Sequence, residues 1–454
     1  MQNRNRQKGA ALVLTLILLA VASAWACGLC AMTTTNLQVA KNHQMVNRAL
    51  RAAESGFQVI RYHLSHITIS SSTPPSEYFD TIVADLSTEL KDSQISIDLN
   101  GSIPDITLDS ATDERFSVTM KMDDTNSKLL VAVTGKLGQK VTRTVEVEFA
   151  FSTSAHPIFK YGFATKGPID FKGNPTTTSV TANWEADIYT ESSKLTPWDV
   201  AVHLEGNTNF DGDINIGSDA LFEYEADLLI AGEQGETAVE NHVMKNVGSK
   251  EFPLADTARF VKYADPDSGA IIDASTDLSK GMTLINRTIA ANTNPVFRRG
   301  VIIEGILLIE TPNIVTFDNV DLRGIIVGHG SDGNPSTNQL NFTSNFASTS
   351  YPCGEAFDAI RKETGTALLT PGFAANFMGN FSAIGGVVAI NGLYINGNAS
   401  ASVAGSIINY SESKTTIEGN LALNFDRARI TEAPAGFEAY KVLAMDGTSY
   451  SIDI

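Results

Sequence analysis

Cysteine is almost absent from this chain, which has only three among its 454 residues. No disulfide framework can stabilise the fold, which must therefore rest on a sizeable hydrophobic core. Cys27 and Cys30 form a C-x-x-C pair inside an uncharged apolar stretch, where the setting for metal or redox chemistry is missing. We interpret this pair as small packing residues, and Cys353 as a lone thiol.

Positive charge is also scarce. The 33 lysines and arginines are outnumbered by 51 aspartates and glutamates, which gives a formal net charge of −18. Such a surface repels nucleic acid and anionic lipid headgroups, so neither is expected as a partner. The sequence also contains no G-x-S-x-G and no H-E-x-x-H motif. We therefore predict that the protein is not an enzyme and has no catalytic residues.

Charged side chains are absent from Gly9 through Ala40. A helix needs about 20 apolar residues to cross a bilayer, and this stretch is long enough. Arg4, Arg6 and Lys8 are the only charged side chains before it, and basic residues mark the cytoplasmic side of a membrane span. The pattern predicts a single-pass inner-membrane protein with a cytoplasmic N-terminus. The residues after 66 would lie in the periplasm or outside the cell.

An amphipathic helical pattern continues directly from the apolar stretch. Apolar residues recur there at alternating steps of four and three, which places them on one helical face. No proline interrupts the chain before Pro74. We therefore predict one long helix over residues 10–66, with a transmembrane half and an amphipathic half. The predicted packing stripe consists of Val46, Leu50, Ala53, Phe57, Ile60 and Leu64.

The beginning of the chain resembles a type IV prepilin. In RNRQKGAALVLTLILLA a short basic leader, residues 1–9, ends at Gly9, and the apolar segment begins at Ala10. The segment NRALRAAESGFQVIRYHLS is similar to the one that follows the span in PilX-like minor pilins and pseudopilins. The resemblance covers about the first 66 residues, and in the second segment it is carried by Asn47, Ala52, Ala53, Glu54 and Gly56.

This resemblance implies both a processing step and partners. The prepilin peptidase would cut between Gly9 and Ala10, and the mature protein would be held in the membrane by its N-terminal helix. Its partners would be other pilins or pseudopilins, in a type IV pilus or a type II secretion-like assembly.

Two positions depart from the pattern of major pilins. Those proteins have glutamate at the fifth mature position, where this chain has Leu14, and prefer phenylalanine at the first, where it has Ala10. In the family, the glutamate meets the N-terminal amine of a neighbouring subunit, and an unpaired buried charge is costly. The departure therefore predicts a tip or initiating minor pilin and not a repeating subunit.

After residue 66 the helical pattern stops, and a polar, proline-containing break spans residues 70–78. Val145, Val147 and Phe149 then alternate with polar residues, as in a half-buried antiparallel strand. We expect a small antiparallel-sheet head over residues 67–156, which makes this part α+β. Its predicted elements are a short helix over 78–90 and strands over 94–99, 115–122, 129–137 and 141–151.

Residues 157–454 show a different sequence pattern. Short runs rich in Ile, Val and Leu, such as GVIIEGILLIE and NVDLRGIIVG, stop at Gly, Asn or Asp and recur at about twenty-residue spacing. Glycine and asparagine accept the left-handed backbone that sharp corners need. A β-sandwich is the alternative, but we favour an all-β solenoid that resembles a right-handed parallel β-helix. Two helical insertions are expected, at 254–263 and 355–362.

Two polar groups in this region are candidate sites. Asp211, Asp213 and Asn215 match the first three ligand positions of a calcium loop, although the glycine and closing glutamate of such a loop are missing. Ordinary turns are the alternative, and no other cofactor is expected. The second group resembles either a solvated strand or the carboxylate pair that glycoside hydrolysis requires. It consists of Asp318, Asn319, Asp321, Arg323 and His329.

Two other kinds of protein fit parts of the sequence. One is a polysaccharide-active β-helix enzyme or carbohydrate-binding protein with an ordinary signal peptide, since Ala22-Ser23-Ala24 and Ala24-Trp25-Ala26 satisfy the small-x-small cleavage rule. The other is a surface binding protein that stays anchored and never enters a filament. We favour a minor pilin because the apolar run is long for a signal peptide and continues into the helix. The solenoid would then be displayed for assembly, adhesion or substrate contact, and its ligand is unknown.

Overall fold

The computed structural model describes residues 4–453 except 71, 94, 124, 126, 140, 265–270, 279–280, 345, 380, 398–399 and 428–432. The chain divides into two units. Unit 1 comprises Met1–Ser152 with Lys441–Ile454, and unit 2 comprises Thr153–Tyr440. A long N-terminal helix with an apolar stretch, followed by mostly β structure with parallel sheets, confirms the coarse prediction of the fold.

Unit 1 begins with helix α1 (Arg4–Leu64), which is continuous over 61 residues. It contains no proline, and its glycines are isolated, so nothing breaks the run of backbone hydrogen bonds. It ends at Leu64, two residues before the predicted end, where Nδ1 of His66 lies 2.8 Å from the carbonyl oxygen of Tyr62. The short strand β1 (Thr68–Ser70) and the predicted second helix, α2 (Tyr78–Glu89), follow.

An antiparallel meander then forms the main sheet of unit 1. Its strands are β2 (Ser102–Asp109), β3 (Glu114–Met122), β4 (Lys128–Leu137) and β5 (Val141–Ser154). The last three lie where the sequence places strands, and the alternation on β5 buries Val145, Val147 and Phe149. The strand predicted over 94–99 is wrong for residues 95–99, which form no strand, and residue 94 lies outside the described part. Asp98 there accepts hydrogen bonds from the backbone N–H groups of Asn100 and Ser102, which makes a turn.

Unit 2 is built mostly from short strands. They are β6 (Phe163–Thr165), β7 (Ile169–Gly173), β8 (Thr176–Ser179), β9 (Ile188–Thr190), β10 (Val200–Glu205), β11 (Thr208–Phe210), β12 (Ile214–Ile216), β13 (Leu221–Tyr224), β14 (Leu228–Ile230), β15 (Glu233–Gln234), β16 (Val243–Met244), β17 (Ile271–Ile272), β18 (Thr283–Ile289), β19 (Val296–Phe297), β20 (Ile302–Glu310), β21 (Ile314–Phe317), β22 (Asp321–His329), β23 (Gln339–Phe342), β24 (Phe346–Thr349), β25 (Thr366–Thr370), β26 (Ala374–Phe377), β27 (Phe381–Ile384), β28 (Val387–Ile390), β29 (Leu393–Asn396), β30 (Ser400–Val403), β31 (Ile407–Asn409), β32 (Thr415–Gly419) and β33 (Ala422–Phe425). One α-helix, α3 (Gly235–His242), lies between β15 and β16.

Among the strand pairs of unit 2 whose register the structure describes, all are parallel except the antiparallel pair of β14 with β15. One sheet has the spatial order β13, β10, β7, β32, β29, β26, β23, β21, β19. In the other sheet, one column of parallel pairs contains β14, β11, β8, β33, β30 and β27. A second column contains β16, β12, β9, β6, β31, β28 and β25. Most strands therefore pair with a strand from another turn of the chain, whereas β14 with β15 and β17 with β18 are pairs of sequence neighbours.

The spatial order of the strands within these columns differs from their order in the sequence. The first strands of unit 2, β6, β7 and β8, pair on one side with the last strands, β31, β32 and β33. On the other side, β7 pairs with β10 and β8 pairs with β11. Strand β6 pairs there with β9, which in turn pairs with β12. The two ends of unit 2 therefore meet in the middle of the parallel array, which the sequence did not suggest.

Aromatic side chains stack in register along one column. The rings of Phe297, Phe317, Phe342 and Phe377 follow one another with centroid separations of 5.4, 4.9 and 4.6 Å. Backbone pairing places each ring opposite the next. Because side chains on a strand alternate between faces, this register keeps one face of the sheet apolar throughout.

The predicted helical insertions are shorter than expected. Residues 254–263 contain only a 3₁₀ helix at Ala258–Tyr263, and residues 355–362 contain two 3₁₀ turns, Glu355–Phe357 and Ile360–Lys362. Side chains from these turns, including Phe260, Phe357 and Ile360, are buried. They therefore cover part of the apolar core of unit 2 instead of forming separate helices.

The last two strands, β34 (Tyr440–Met445) and β35 (Ser451–Asp453), return to the sheet of unit 1. Ile452 of β35 pairs with Val145 of β5 in antiparallel register. The sequence pattern predicts a single exodomain over residues 157–454, whereas Lys441–Ile454 lies in unit 1. Unit 2 is thus an insertion in the chain between two strands of unit 1.

Candidate functional site: the N-terminal helix

The first half of α1 exposes its apolar side chains. Its most apolar 18-residue window has a mean hydropathy of 2.4, and none of that window is buried within the protein. By length and composition, α1 can cross a membrane. Only lipid or another apolar surface can shield these side chains from water. The large ones are Leu12, Val13, Leu14, Leu16, Ile17, Leu18, Leu19, Val21, Trp25, Leu29, Met32, Leu37 and Val39.

The second half of α1 packs on the sheet of its own unit. From the predicted stripe, Val46 and Leu50 are half-buried. Ala53, Phe57, Ile60 and Leu64 are fully buried in a core with Leu129, Val131, Val133 and Val145. Three small residues outside the stripe, Ala49, Ala52 and Gly56, are buried as well. The apolar side chains of α1 are therefore exposed before residue 45, and those on the face toward the sheet are half-buried or buried after it.

The sheet comes very close to the helix at Gly135 on β4. A Cβ atom there would lie 2.0 Å from the carbonyl oxygen of Ala49 and 2.4 Å from the backbone nitrogen of Ala53. Such distances are far inside van der Waals contact, so only glycine permits this approach. Gly135 is not among the packing residues that the sequence pattern predicts. The spacing of Ala49, Ala53 and Gly56 by four and three residues is the signal that predicts such a close helical face.

Polar contacts at the edges of this interface fix the rotation of α1 about its axis. Arg48 forms an ion pair with Glu114 of β3. The hydroxyl of Tyr450, close to β35, donates a hydrogen bond of 3.4 Å to Oε1 of Glu54. Both pairs are partly exposed, so each contributes little free energy of folding. They instead favour one orientation of the helix on the sheet.

The predicted cleavage point lies in the helical backbone of α1, between Gly9 and Ala10. The side chains of residues 4–11 lie outside the described part, and cleavage there stays a prediction. Leu14, at the position where major pilins have glutamate, is 62% exposed on the apolar surface. This position therefore offers no carboxylate to an incoming amine.

The calcium candidates have separate protein partners. Oδ2 of Asp211 accepts a hydrogen bond from the backbone N–H of Ser179. Asp213 lies 2.7 Å from Nδ1 of His242, and the Asn215 amide donates to the carbonyl oxygen of Ile188. Among the residues that the structure describes, no group of three or more His, Cys, Asp and Glu side chains could hold a metal ion.

The residues of the second polar group make separate local contacts. The guanidinium of Arg323 binds Glu304 at 3.1 Å and Asp321 at 3.2 Å. Asp318 accepts a hydrogen bond of 2.7 Å from the hydroxyl of Ser344, and Asn319 adopts left-handed backbone with φ 54°. His329 lies 3.2 Å from the hydroxyl of Thr257. Arg323, Asp321, Asp318 and His329 therefore each have a partner within the protein.

The N-terminal segment matches a known protein family. The PilX N-terminal family model matches residues 8–58, which include the predicted cleavage point, the exposed apolar half of α1 and most of the packed half. The resemblance to PilX-like type IV minor pilins that the sequence suggested for this region is thereby confirmed. The match covers too little of the chain to describe unit 2. No curated protein matches the chain.

A solved structure is similar over most of the chain's length. It is the competence-associated pilin ComZ from Thermus thermophilus, with 13% sequence identity and a TM-score of 0.25. The alignment covers 90% of this chain and 97% of that one. A TM-score of this size does not establish a common fold.

Proposed function

We propose that this chain is a membrane-anchored minor pilin or pseudopilin of a type IV pilus or a type II secretion-like assembly. The observation that carries the proposal is the division of α1. Its first half is uncharged and exposed, while its second half is packed through Ala49, Ala53 and Gly56 on the sheet of its own unit. Such a helix can exchange lipid for the apolar helices of other pilins without unfolding unit 1.

The proposed route begins in the inner membrane. Arg4, Arg6 and Lys8 keep the N-terminus in the cytoplasm, and the prepilin peptidase cuts between Gly9 and Ala10. The apolar half of α1 then anchors the mature protein, while the rest of unit 1 and unit 2 lie in the periplasm or outside the cell. The net charge of −18 suits exposure to a watery medium.

The proposed place of the protein in a filament is the tip. Without a carboxylate at Leu14, the subunit cannot compensate the amine of another subunit within an apolar helix bundle. Its own amine can still be compensated by a neighbour that carries the glutamate. This asymmetry suits the first subunit of an assembly.

Unit 2 is proposed to be a β-solenoid that the assembly displays. Its support is the parallel pairing of strands from successive turns, with the phenylalanine stack inside one column. Solenoids offer long, regular outer surfaces to other molecules. The display would serve adhesion, assembly or contact with a secretion substrate.

Immunogold labelling of sheared filaments with antibodies against unit 2 tests the proposal. We expect label at one end of each filament, and we expect the Leu14→Glu variant to spread along the filament because it restores the missing carboxylate. A Leu14→Gln variant is the matched control, since it adds a polar group of similar size without the charge. Even labelling of filaments by the natural protein would contradict the tip position. Filaments without any label would indicate a permanently anchored surface protein.

A further inference from the structure

Unit 2 contains a cavity of about 490 Å³ beside its first 3₁₀ helix, Pro157–Lys160. This volume lies in the range of small-molecule sites, about 300–1,000 Å³. Phe159, Lys160, Trp184, Asp187 and Arg427 contribute to its lining. None of these residues belongs to α1, so the cavity is separate from the assembly surface.

Trp184 gives the cavity a flat apolar wall. It precedes Glu185 in the 3₁₀ helix Asn183–Ala186, and Glu185 is buried and accepts hydrogen bonds from the backbone N–H groups of Val180 and Thr181. This contact fixes the helix and with it the indole. Trp184 nevertheless remains 51% exposed, which is unusual for the largest apolar side chain. An exposed indole held in place at a cavity is suited to stack on a ring.

Arg427 lies beside Trp184 in the lining of the cavity. Only 4% of this residue is exposed, and its guanidinium donates to the carbonyl oxygens of Phe159, Lys160 and Trp184. The guanidinium carbon lies 5.3 Å from the centroid of the Trp184 ring, within the range of a cation–π contact. Burial lowers the pKa of Arg427 to about 10, so the group stays positive at neutral pH.

Lys160 adds a second positive charge at the rim. It is exposed, and it forms no ion pair with any residue that the structure describes. Its charge lies near Lys250, whose pKa is lowered by burial and by the charge of Lys160. The carboxylates of Asp187 and Glu185 offset the charge of Arg427, so Lys160 carries the positive charge that this cavity offers to a ligand.

Asp187 places a carboxyl group that can form hydrogen bonds in the lining of the same cavity. Its Oδ1 accepts a hydrogen bond of 2.9 Å from the backbone N–H of Asp213, which fixes its orientation. Burial, as the largest cause, raises its pKa to about 6. A carboxyl group held in this way can hydrogen-bond to a hydroxyl group of a ligand.

We propose that this cavity binds a sugar acid, that is, a pyranose ring that carries a carboxylate, as in acidic polysaccharides. The apolar face of the ring would stack on Trp184, its carboxylate would meet Lys160, and a hydroxyl group would reach Asp187. This inference deepens the adhesive role given above and rests on the display of unit 2 to the outside.

Fluorescence titration of the full-length chain in detergent tests the inference. The background variant Trp25→Phe with Trp198→Phe leaves Trp184 as the single indole among the three tryptophans of the chain. The ligands are D-galacturonate, D-galactose and benzoate, at constant ionic strength. We expect a saturable change in Trp184 emission with galacturonate, and at least tenfold weaker binding of galactose and of benzoate. Galactose retains the pyranose ring but not the carboxylate. Benzoate retains a ring and a carboxylate but not the hydroxyl groups.

Two lysine variants locate the binding site. Lys160→Met should weaken galacturonate binding by about tenfold, as expected for the loss of one charge-assisted hydrogen bond. Lys245→Met is the matched control, because Lys245 is exposed and does not line the cavity; it should bind as the background does. Equal affinity for galactose or benzoate, no saturable change, or an unaffected Lys160→Met variant would each overturn the proposal. The assay needs neither processing nor a filament, so its failure is distinct from failure of the pilin assignment.

Discussion

Gly56 on α1 lies directly against the ring of Phe116 on β3. A Cβ atom at Gly56 would stand 2.4 Å from Cδ2 and 2.6 Å from Cγ of that ring. The missing side chain therefore sets the distance between helix and sheet at this point. Gly56 lies in the PilX-like segment, and this contact gives a physical reason for a glycine there.

Replacement of Gly56 by alanine should destabilise unit 1. The new methyl group would push Phe116 out of a filled core, and overpacking of this kind costs about 1–3 kcal/mol. Gly28→Ala is the matched control, because no atom lies within 4 Å of its Cβ position and alanine is the better helix former. Calorimetry of the full-length chain in detergent should show a lower melting temperature for Gly56→Ala alone. Equal melting temperatures of the two variants would refute the packing argument.

Replacement of Gly135 by alanine should be more damaging than Gly56→Ala. The obstacle at Gly135 is the backbone of α1 at Ala49 and Ala53, which cannot rotate away as a ring can. The helix must therefore move off the sheet, and the buried face from Ala49 to Ile60 loses contact with it. Hydrogen–deuterium exchange of β4 and of the second half of α1 measures this separation. Exchange as slow as in the natural protein would contradict the close approach.

Loss of the Arg427 guanidinium should destabilise unit 2. In Arg427→Met, the carbonyl oxygens of Phe159, Lys160 and Trp184 each lose the donor that the guanidinium supplies, and the fully buried Glu185 loses a nearby positive charge. Such losses cost about 3–5 kcal/mol for a buried charged group. Arg298→Met is the control, since Arg298 is exposed. Urea unfolding followed by tryptophan emission in a Trp25→Phe background reports on unit 2, and equal midpoints for the two variants would contradict this account.

The pH dependence of unit 2 should contain two opposing contributions. Burial lowers the pKa of His156 from 6.5 to about 4, so its contribution to stability is lost as the pH falls from 6.5 to 4. Burial raises the pKa of Asp187 from 3.8 to about 6, so its contribution is lost as the pH rises from 3.8 to 6. Each amounts to about 1–2 kcal/mol after allowance for partial exposure.

Two variants separate these contributions. His156→Asn retains an acceptor for the Ile158 N–H, which His156 receives at its Nδ1. Relative to the natural protein, its free energy of unfolding should fall as the pH rises from 4 to 6.5. For Asp187→Asn the corresponding difference should increase between pH 4 and 6. Parallel pH profiles for all three proteins would show that neither group changes its pKa on folding.

Local patterns in the sequence were sufficient to predict those elements in which apolar residues recur with a regular period. The lack of charge from Gly9 to Ala40 and the spacing from Val46 to Leu64 predicted α1, and the alternation on β5 predicted that strand. The calcium pattern at Asp211 was local too, but the structure gives its side chains protein partners. Periodicity predicts elements well because it reflects which side of each element is buried.

Contacts between distant parts of the chain could not be predicted in this way. The pairing of β8 with β33 joins Thr176 to Ala422, and that of β5 with β35 joins Val145 to Ile452. Neither contact leaves a pattern in its own neighbourhood, because any parallel or antiparallel partner with an apolar face would satisfy each strand. The cavity beside Trp184 depends on the same long-range closure, since Arg427 reaches it from the far end of unit 2.

The most direct test of the pilin assignment is the N-terminal sequence of the protein recovered from its native membranes. The account predicts that the mature chain starts at Ala10, with the leader of residues 1–9 removed and the whole apolar half of α1 retained. A start between Ala24 and Gly28 would show that a signal peptidase had removed much of that half. Unit 2 would then belong to a secreted protein, and the assembly role of α1 would be contradicted.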